Sequence, residues 1–259
     1  MLRFRLRQRS ASAVLALLCF TNRVDLAQQQ IVSSPAFPFP EKLSYRIEWR
    51  LVTAGFATVE MSHAAAAAWQ TSLNLESAGL VTRLYKILDK YKATTNDKFC
   101  GSYSVLDAQE GKRHTLTHLT FDNTRHKVNY EERDLLKNTS LKKELDIAPC
   151  THEITGALQA LREMELQPGN WATLPVTNGK NMAYVKIQGQ AKETLNITGK
   201  RCQAIRYEVF LFDNVLYKRK GRLLMWISDD SDRIPVQLRL QMGFPIGTVT
   251  VQLEKEQKT

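Results

Sequence analysis

The chain has 259 residues, of which 43% are hydrophobic and 24% are charged. This composition is that of a globular protein and excludes a disordered or fibrous chain. The formal net charge is +10, but no basic stretch is interleaved with aromatic residues, so we expect no nucleic-acid partner.

The first 27 residues have the organisation of a secretory signal peptide. Four arginines lie within residues 3–9, and residues 11–20 (ASAVLALLCF) form an apolar stretch too short to span a bilayer. Cleavage is predicted after Ala27, although Asp25 fits a small-x-small site poorly. We therefore expect a periplasmic or otherwise extracytoplasmic protein. No later apolar run reaches the roughly 18 residues of a spanning helix, so we expect no membrane span after signal removal.

Residues 28–40 (QQQIVSSPAFPFP) are predicted to form a proline-rich lead-in. From Leu43 to Leu51, apolar and polar residues then alternate with period two, which indicates a strand with one buried face. Further short segments of this kind follow, separated by turn residues. The predicted strands after the first are 57–61, 73–75, 91–97, 103–109, 113–121, 125–132, 185–187, 195–197, 205–211, 223–227, 234–240 and 249–253.

One strong helix is predicted at about 152–165, with a shorter helix or crossover near 80–88. The apolar residues of the strong helix, from Ile154 to Met164, form one stripe at helical spacing. Thr151 is expected to cap its first turn, and Pro168-Gly169 to end it.

About twelve short strands with a single good α-helix predict a mainly β fold, either an antiparallel sandwich or a half-open barrel. We assign residues 41–254 to one β domain and residues 255–259 to a polar tail.

Three cysteines remain after the signal segment, so at most one intramolecular disulfide can form. Cys100 and Cys150 are the first candidates, because each lies just outside a predicted regular element. Cys202 begins a strongly alternating strand and is interpreted as a small buried apolar residue.

Several groups of polar residues suggest chemistry, but each has a simpler structural interpretation. His114, His118 and His126 are residues of the type that binds zinc, yet exposed strands explain them better. The acidic turn Asp229 to Asp232 and the pair His152-Glu153 are interpreted as a β-turn and a helix start. The sequence contains no nucleophile elbow, P-loop or dinucleotide fingerprint. We expect no cofactor, no metal and no identifiable catalytic residue, and we lean against an enzyme.

Large aromatic residues are spread over the predicted sheet, and most of them are expected to form its core. A wide barrel of this size can also enclose an apolar cavity or groove. For such a site we select Trp49, Tyr207 and Trp226 as candidate ligand-binding residues.

Four stretches of the chain match the order of motifs in a known family. They are FPFPEKLSYRIEWRLVTAGFATVEM, ITGALQALREMELQPG, KGRLLMWISDDSDRIPVQLRLQ and GTVTVQL. Together they resemble, over about residues 37–254, the exported bacterial family known as domain of unknown function 3108. The resemblance implies an envelope-located β domain, and it brings no catalytic residues to carry over.

The leading functional hypothesis is a non-enzymatic envelope protein that binds a hydrophobic or amphipathic, lipid-like ligand on its curved sheet. The first alternative is a structural or assembly factor of the envelope that acts through a sheet edge or an apolar patch. The second alternative is an unrecognised hydrolase, which would need a deep pocket with a histidine–carboxylate pair.

Overall fold

The computed structural model of the protein describes residues 40–64, 68–243 and 245–258. The predicted signal peptide at 1–27 and nearly all of the lead-in at 28–40 lie outside the described residues. The elements are β1 (Glu41–Trp49), β2 (Val52–Ala64), β3 (Ala68–Ser77), α1 (Gly79–Leu84), β4 (Ile87–Asn96), β5 (Gly101–Glu110), β6 (Arg113–Asp122), β7 (Lys127–Asp134), β8 (Thr139–Asp146), α2 (Ile154–Glu163), β9 (Trp171–Thr177), β10 (Met182–Ile197), β11 (Lys200–Val209), β12 (Gly221–Ser228), β13 (Pro235–Met242) and β14 (Thr248–Lys258).

All of these strands form one antiparallel sheet in the order β8-β7-β6-β5-β4-β3-β2-β1-β14-β13-β12-β11-β10-β9. Neighbours in the sheet are neighbours in sequence, except that the first strand pairs with the last. In the described part of the chain β8 and β9 remain as edges.

The sheet is strongly curved, so that strands far apart in its order face one another. One core cluster joins Met61 and Trp69 of β2 and β3 to Leu174, Tyr207 and residues of β9 to β12. This arrangement is a half-open barrel, and the predicted mainly antiparallel β fold is confirmed.

The two ends of the sheet do not pair with each other, but an extended segment and several side chains make contacts across the gap between them. Residues 151–152 lie between β5 and β9: Gly101 N donates to Thr151 O at 3.0 Å, and His152 N donates to Pro175 O at 2.8 Å. The β9–β10 turn packs closely on β6 and β7, because a Cβ at Gly179 would lie 2.2 Å from a Leu119 methyl group. Met182 joins the apolar cluster on that side of the gap.

Two details of the strand prediction are wrong. The described strands are fourteen rather than about twelve, because the sequence pattern does not reveal β8 and β9. The β8 sequence TSLKKELD is exposed at nearly every position and therefore has no buried face to produce alternation. The segments predicted at 185–187 and 195–197 are one strand, β10, which contains a bulge between Gly189 and Ala191.

Residues 255–258, assigned from the sequence to a polar tail, continue β14. Its last residues pair with the start of β1, with Lys258 opposite Glu41 and Glu256 opposite Leu43. Backbone hydrogen bonds hold this end of the ladder, and they do not depend on apolar side chains.

The strong helix begins later and ends earlier than the predicted 152–165. Its N-cap is Glu153 rather than Thr151, and the Glu153 carboxylate accepts hydrogen bonds from the Thr155 and Gly156 amides. The Thr151 hydroxyl instead donates to Ala148 O at 2.7 Å. None of the helices in the described part of the chain is long and apolar enough to cross a membrane.

Candidate ligand-binding cavity

The curved sheet encloses a cavity of about 1100 Å³. Its walls come from β1 to β4, from β9 to β14 and from the inward face of α2, while α1 and the β13–β14 connection lie near one end. Ligand pockets in proteins usually measure roughly 300–1,000 Å³, so this interior is large enough for a sizeable molecule.

The cavity lining is almost entirely apolar. Its apolar side chains include Ile47, Ala57, Val59, Leu73, Leu75, Leu158, Leu174, Val185, Ile187, Val209, Leu223, Met225, Leu238, Val249 and Val251. Among the described lining residues, and apart from aromatic ones, polar side chains belong only to Arg50, Glu76, Ser77, Thr155, Gln159 and Arg219.

Most polar groups in the lining already have partners within the protein. The Tyr45 hydroxyl donates to Pro235 O at 3.0 Å, and Trp49 Nε1 donates to Ile246 O at 2.6 Å. The Thr155 hydroxyl donates to Glu153, and Gln159 Oε1 accepts from Arg162. The surface presented to a bound molecule is therefore mainly hydrocarbon, which favours apolar contents over water.

The charged lining residues Arg50, Glu76 and Arg219 are all exposed to solvent. Arg50 follows β1, Glu76 lies near the end of β3, and Arg219 precedes β12. In an antiparallel sheet these positions share one end of the barrel. The cavity thus opens to solvent at this end, with its charges at the mouth and its apolar walls within.

The N-terminal end of α2 is fixed by a group of buried contacts. A disulfide joins Cys100 to Cys150, with a Cα–Cα distance of 4.7 Å. Next to it, His152 Nδ1 donates to Phe99 O at 2.8 Å. Together these contacts hold the segment before the helix against the β4–β5 connection.

Glu153 completes this attachment. Besides the two backbone amides, its carboxylate accepts hydrogen bonds from the Tyr91 hydroxyl at 2.6 Å and from the Thr155 hydroxyl at 2.8 Å. Burial raises the pKa of the Glu153 carboxyl above its ordinary value, while these donors act in the opposite direction. With its hydrogen bonds satisfied, Glu153 serves as the cap that positions the cavity-facing helix.

The C-terminal end of α2 is held by two buried arginines. Arg162 bonds Glu41, and its Nε donates to Arg233 O at 2.9 Å. Arg233 in turn donates from Nε to Arg162 O and from Nη2 to Met164 O at 2.8 Å. Both ends of the helix are therefore anchored, and α2 forms a fixed wall of the cavity.

Of the three candidate ligand-binding residues, only Trp49 lines the cavity. Tyr207 is fully buried, and its hydroxyl bonds Leu166 O and Arg233 at 3.0 Å each. Trp226 packs in a second core cluster, and its Nε1 donates to Glu193 at 2.7 Å. These two side chains support the walls and lie outside the lining.

Sequence reasoning missed most of the cavity residues. Leu75 and Leu238 belong to the alternating strand pattern, and Ile154 and Leu158 belong to the helical stripe, so all were assigned to a filled core. An apolar side chain facing a cavity has the same periodicity as one facing a packed interior. No signal in a single sequence separates the two.

The histidines and acidic residues considered for chemistry lie elsewhere. His114 Nε2 is 2.7 Å from Asp107, and His118 Nδ1 is 2.6 Å from the Tyr103 hydroxyl. Asp230 accepts bonds from Ser228 and from the amides that form its own turn. In the described residues, no group of three or more potential metal ligands comes together.

The fold and the cavity define a class of protein: a half-open antiparallel β barrel with an apolar interior. Residues 44–254 match the sequence profile of DUF3108, a protein family of unknown function, and the chain belongs to this family. The expected family resemblance is thereby confirmed. The comparison with curated proteins yields no match.

Solved structures give a likeness of fold. The crystal structure of a β-barrel-like protein of the domain of unknown function DUF1849 from Brucella abortus aligns with a TM-score of 0.59 and 8% identity. The alignment covers 86% of this chain and 99% of that chain. A putative exported protein with a YmcC-like fold from Bacteroides fragilis aligns over 86% of this chain and 100% of that chain, with 10% identity and a TM-score of only 0.38.

Proposed function

We propose that this protein binds an apolar or amphipathic, lipid-like molecule inside its curved sheet. The observation that carries the proposal is the cavity of about 1100 Å³ with its nearly continuous hydrocarbon lining. Water gains few hydrogen bonds in such a space, whereas an apolar chain removes its own surface and that of the walls from water.

The distribution of polar groups favours an amphipathic ligand over a purely apolar one. The inner part of the cavity has apolar walls, and the charged side chains of Arg50, Glu76 and Arg219 lie at the mouth. A molecule with a hydrocarbon part and a polar end matches this gradient. The polar end remains near water while the hydrocarbon part is buried.

The same interior speaks against hydrolysis. A hydrolase that uses a histidine–carboxylate pair needs both groups in a deep pocket, and no histidine occurs among the described lining residues.

The edge strand β8 also gives little support to strand addition by a partner protein. Lys142 and Lys143 lie on this strand, and lysines on an edge discourage pairing.

We further propose that the protein works outside the cytoplasm after secretory export. The N-terminal sequence pattern supports this location. A disulfide between Cys100 and Cys150 supports it independently, because such bonds persist mainly in oxidising compartments.

Native mass spectrometry of the purified, processed protein tests ligand binding directly. We expect added mass that disappears after organic extraction, and uptake of a fluorescent fatty-acid analogue by the extracted protein. If the extracted protein takes up no apolar probe and carried none on purification, ligand binding is excluded.

Substitutions that fill the cavity test whether the ligand binds inside it. Leu75→Trp combined with Leu238→Trp adds volume at two lining positions, one on β3 and one on β13, and we expect probe affinity at least about tenfold weaker. Leu141→Trp makes the same change on the exposed edge strand β8 and should leave affinity unchanged. Equal affinities for these variants would contradict binding inside the cavity.

A further inference from the structure

The mouth of the cavity is surrounded by exposed apolar side chains. We define the rim as residues 50–52 of the β1–β2 turn, 78–86 around α1, 210–220 between β11 and β12, and 245–247 before β14. Leu51 is 95% exposed, and Leu80 and Leu84 of α1 are 61% and 66% exposed. Large apolar side chains left in solvent within one region mark an interaction surface.

The turn that presents Leu51 is built at a conformational cost. Arg50 and Leu51 form a two-residue connection between β1 and β2, and both have positive φ, 51° and 69°. Asn and Gly are the residues that adopt this hairpin geometry readily. Leu51 has an unfavourable backbone conformation and is almost entirely exposed, so it does not contribute to the core. We therefore consider that its side chain contacts another molecule.

The rim is also strongly basic. The segments 50–52, 78–86 and 210–220 contain six cationic residues, Arg50, Arg83, Lys86, Lys218, Arg219 and Lys220, and one acidic residue, Asp213. Glu76 at the mouth adds a second acidic residue, so six cations face two carboxylates. All six are exposed. In the part of the chain that the structure describes, no ion pair with a carboxylate involves any of them.

Each rim segment also reaches the cavity. Arg50, Leu84, Arg219 and Ile246 come from the four segments in turn, and all four line the interior. The exposed apolar groups, the cations and the opening of the cavity therefore lie at the same end of the barrel.

We propose that the rim docks on an anionic lipid bilayer and places the cavity mouth against the membrane surface. Apolar side chains enter the interfacial region, and the cations contact the lipid phosphates. Charge complementarity selects a membrane with anionic lipids as the occupant. Docking is a separate property from ligand binding in the cavity, although together they describe a protein that exchanges lipid with a membrane.

Vesicle flotation with the processed full chain tests the docking. We expect binding to vesicles of phosphatidylcholine and phosphatidylglycerol, little binding to phosphatidylcholine alone, and loss of binding at high salt. Arg219→Glu with Lys220→Glu should weaken binding at least about tenfold, because each cation near an anionic surface contributes on the order of 1 kcal/mol. The matched charge change Lys142→Glu with Lys143→Glu on β8 should have little effect.

A second variant separates docking from folding. Leu51→Gly supplies a residue that adopts positive φ readily and keeps the hydrogen bond from Arg50 to Pro245 O, so the fold is retained while one apolar anchor is removed. We expect several-fold weaker vesicle binding from a fully folded protein. Equal binding to neutral and anionic vesicles, or equal effects of the rim and β8 variants, would overturn the proposal.

The depth to which the rim enters the bilayer can be measured by quenching of tryptophan fluorescence. Tryptophan at position 51, introduced by Leu51→Trp, should be quenched by lipids brominated in the acyl chains, whereas Leu141→Trp should add no quenched signal. The cavity-filled variant distinguishes the two proposals: docking that persists when probe uptake is lost assigns the rim to the membrane alone. If the rim instead retains a protein from the envelope and ignores vesicles, membrane docking is wrong.

Discussion

Arg162 of α2 and Glu41 at the start of β1 form a two-point ion pair in the interior. Arg162 Nη1 lies 2.7 Å from Glu41 Oε2, and Nη2 lies 3.0 Å from Oε1. Both side chains are buried. The pair ties the helix that walls the cavity to the strand at the middle of the sheet.

Removing one partner of this pair should be strongly destabilising. Glu41→Leu leaves a buried guanidinium without its counter-charge, and we expect a loss of about 3–5 kcal/mol in the free energy of unfolding. Urea denaturation measures the loss. The neighbouring Lys42 forms an exposed pair with Glu60 at 2.7 Å, so Lys42→Leu should cost less than about 1 kcal/mol. Similar losses in the two variants would show that the buried pair has no special role.

The Cys100–Cys150 disulfide should contribute substantially to stability. It closes a loop with a sequence separation of 50, for which chain entropy gives about 4 kcal/mol. We expect Cys100→Ser with Cys150→Ser to lose an amount of this order, and dithiothreitol to have the same effect on the native protein. Cys202 is not in a disulfide, so Cys202→Ser is the control and should change stability by less than about 0.5 kcal/mol. An unchanged unfolding midpoint in the double variant would refute the expectation.

The strained β1–β2 turn predicts a substitution that stabilises the fold. Leu51→Gly relieves a residue with a φ of 69° and keeps Arg50 with its hydrogen bond to Pro245 O, so the free energy of unfolding should rise by about 1 kcal/mol. Thermal and urea unfolding both measure this gain. Leu141→Gly in the regular strand β8 is the contrasting case and should lower stability. A loss of stability in the turn variant would mean that Leu51 makes contacts that its exposure does not reveal.

Asp89 should make stability depend on pH. Burial and then the Glu110 charge raise the pKa of Asp89 to about 6, compared with an ordinary value of 3.8. The folded state therefore holds this proton more tightly than the unfolded state, and stability falls as pH rises from about 4 to about 6. Above that window the full penalty of the buried charge is present.

Asp89→Asn removes this dependence while its side-chain oxygen can still accept the bond from Gln109 N, which is 3.1 Å long in the native protein. We expect the variant to be more stable than the native protein at pH 8 and equally stable below pH 4. The difference between the two unfolding midpoints should track the titration of this one group. A constant difference at all pH values would indicate a packing effect instead.

The sequence predicts the sheet much better than it predicts the cavity. Period-two alternation in β1, β11 and β13 reflects a face that contacts the interior, and it located those strands. Alternation did not reveal β8, because both faces of that strand are exposed. It did not reveal β9 either, because Pro175 on this edge strand is a residue that is rare in strands.

The choice of aromatic residues shows why a site of this kind is hard to predict. Trp49, Tyr207 and Trp226 all lie on strands with strong alternation, yet only Trp49 lines the cavity. Trp226 lies on the face of β12 opposite to the lining residue Met225, and Tyr207 is packed in the core cluster that contains the end of α2. The volume inside a barrel depends on how tightly the sheet curves. That curvature is a property of the whole set of strands rather than of any local pattern.

The pairing of β1 with β14 has a consequence for how the chain is made. The first strand of the domain can complete its hydrogen bonds only with the last, since Glu41 lies opposite Lys258 and Trp49 opposite Val249. Contacts of such long sequence separation form slowly, and the final strand is also the last to leave the ribosome. The sheet of this domain can therefore become continuous only after its final strand has been synthesised.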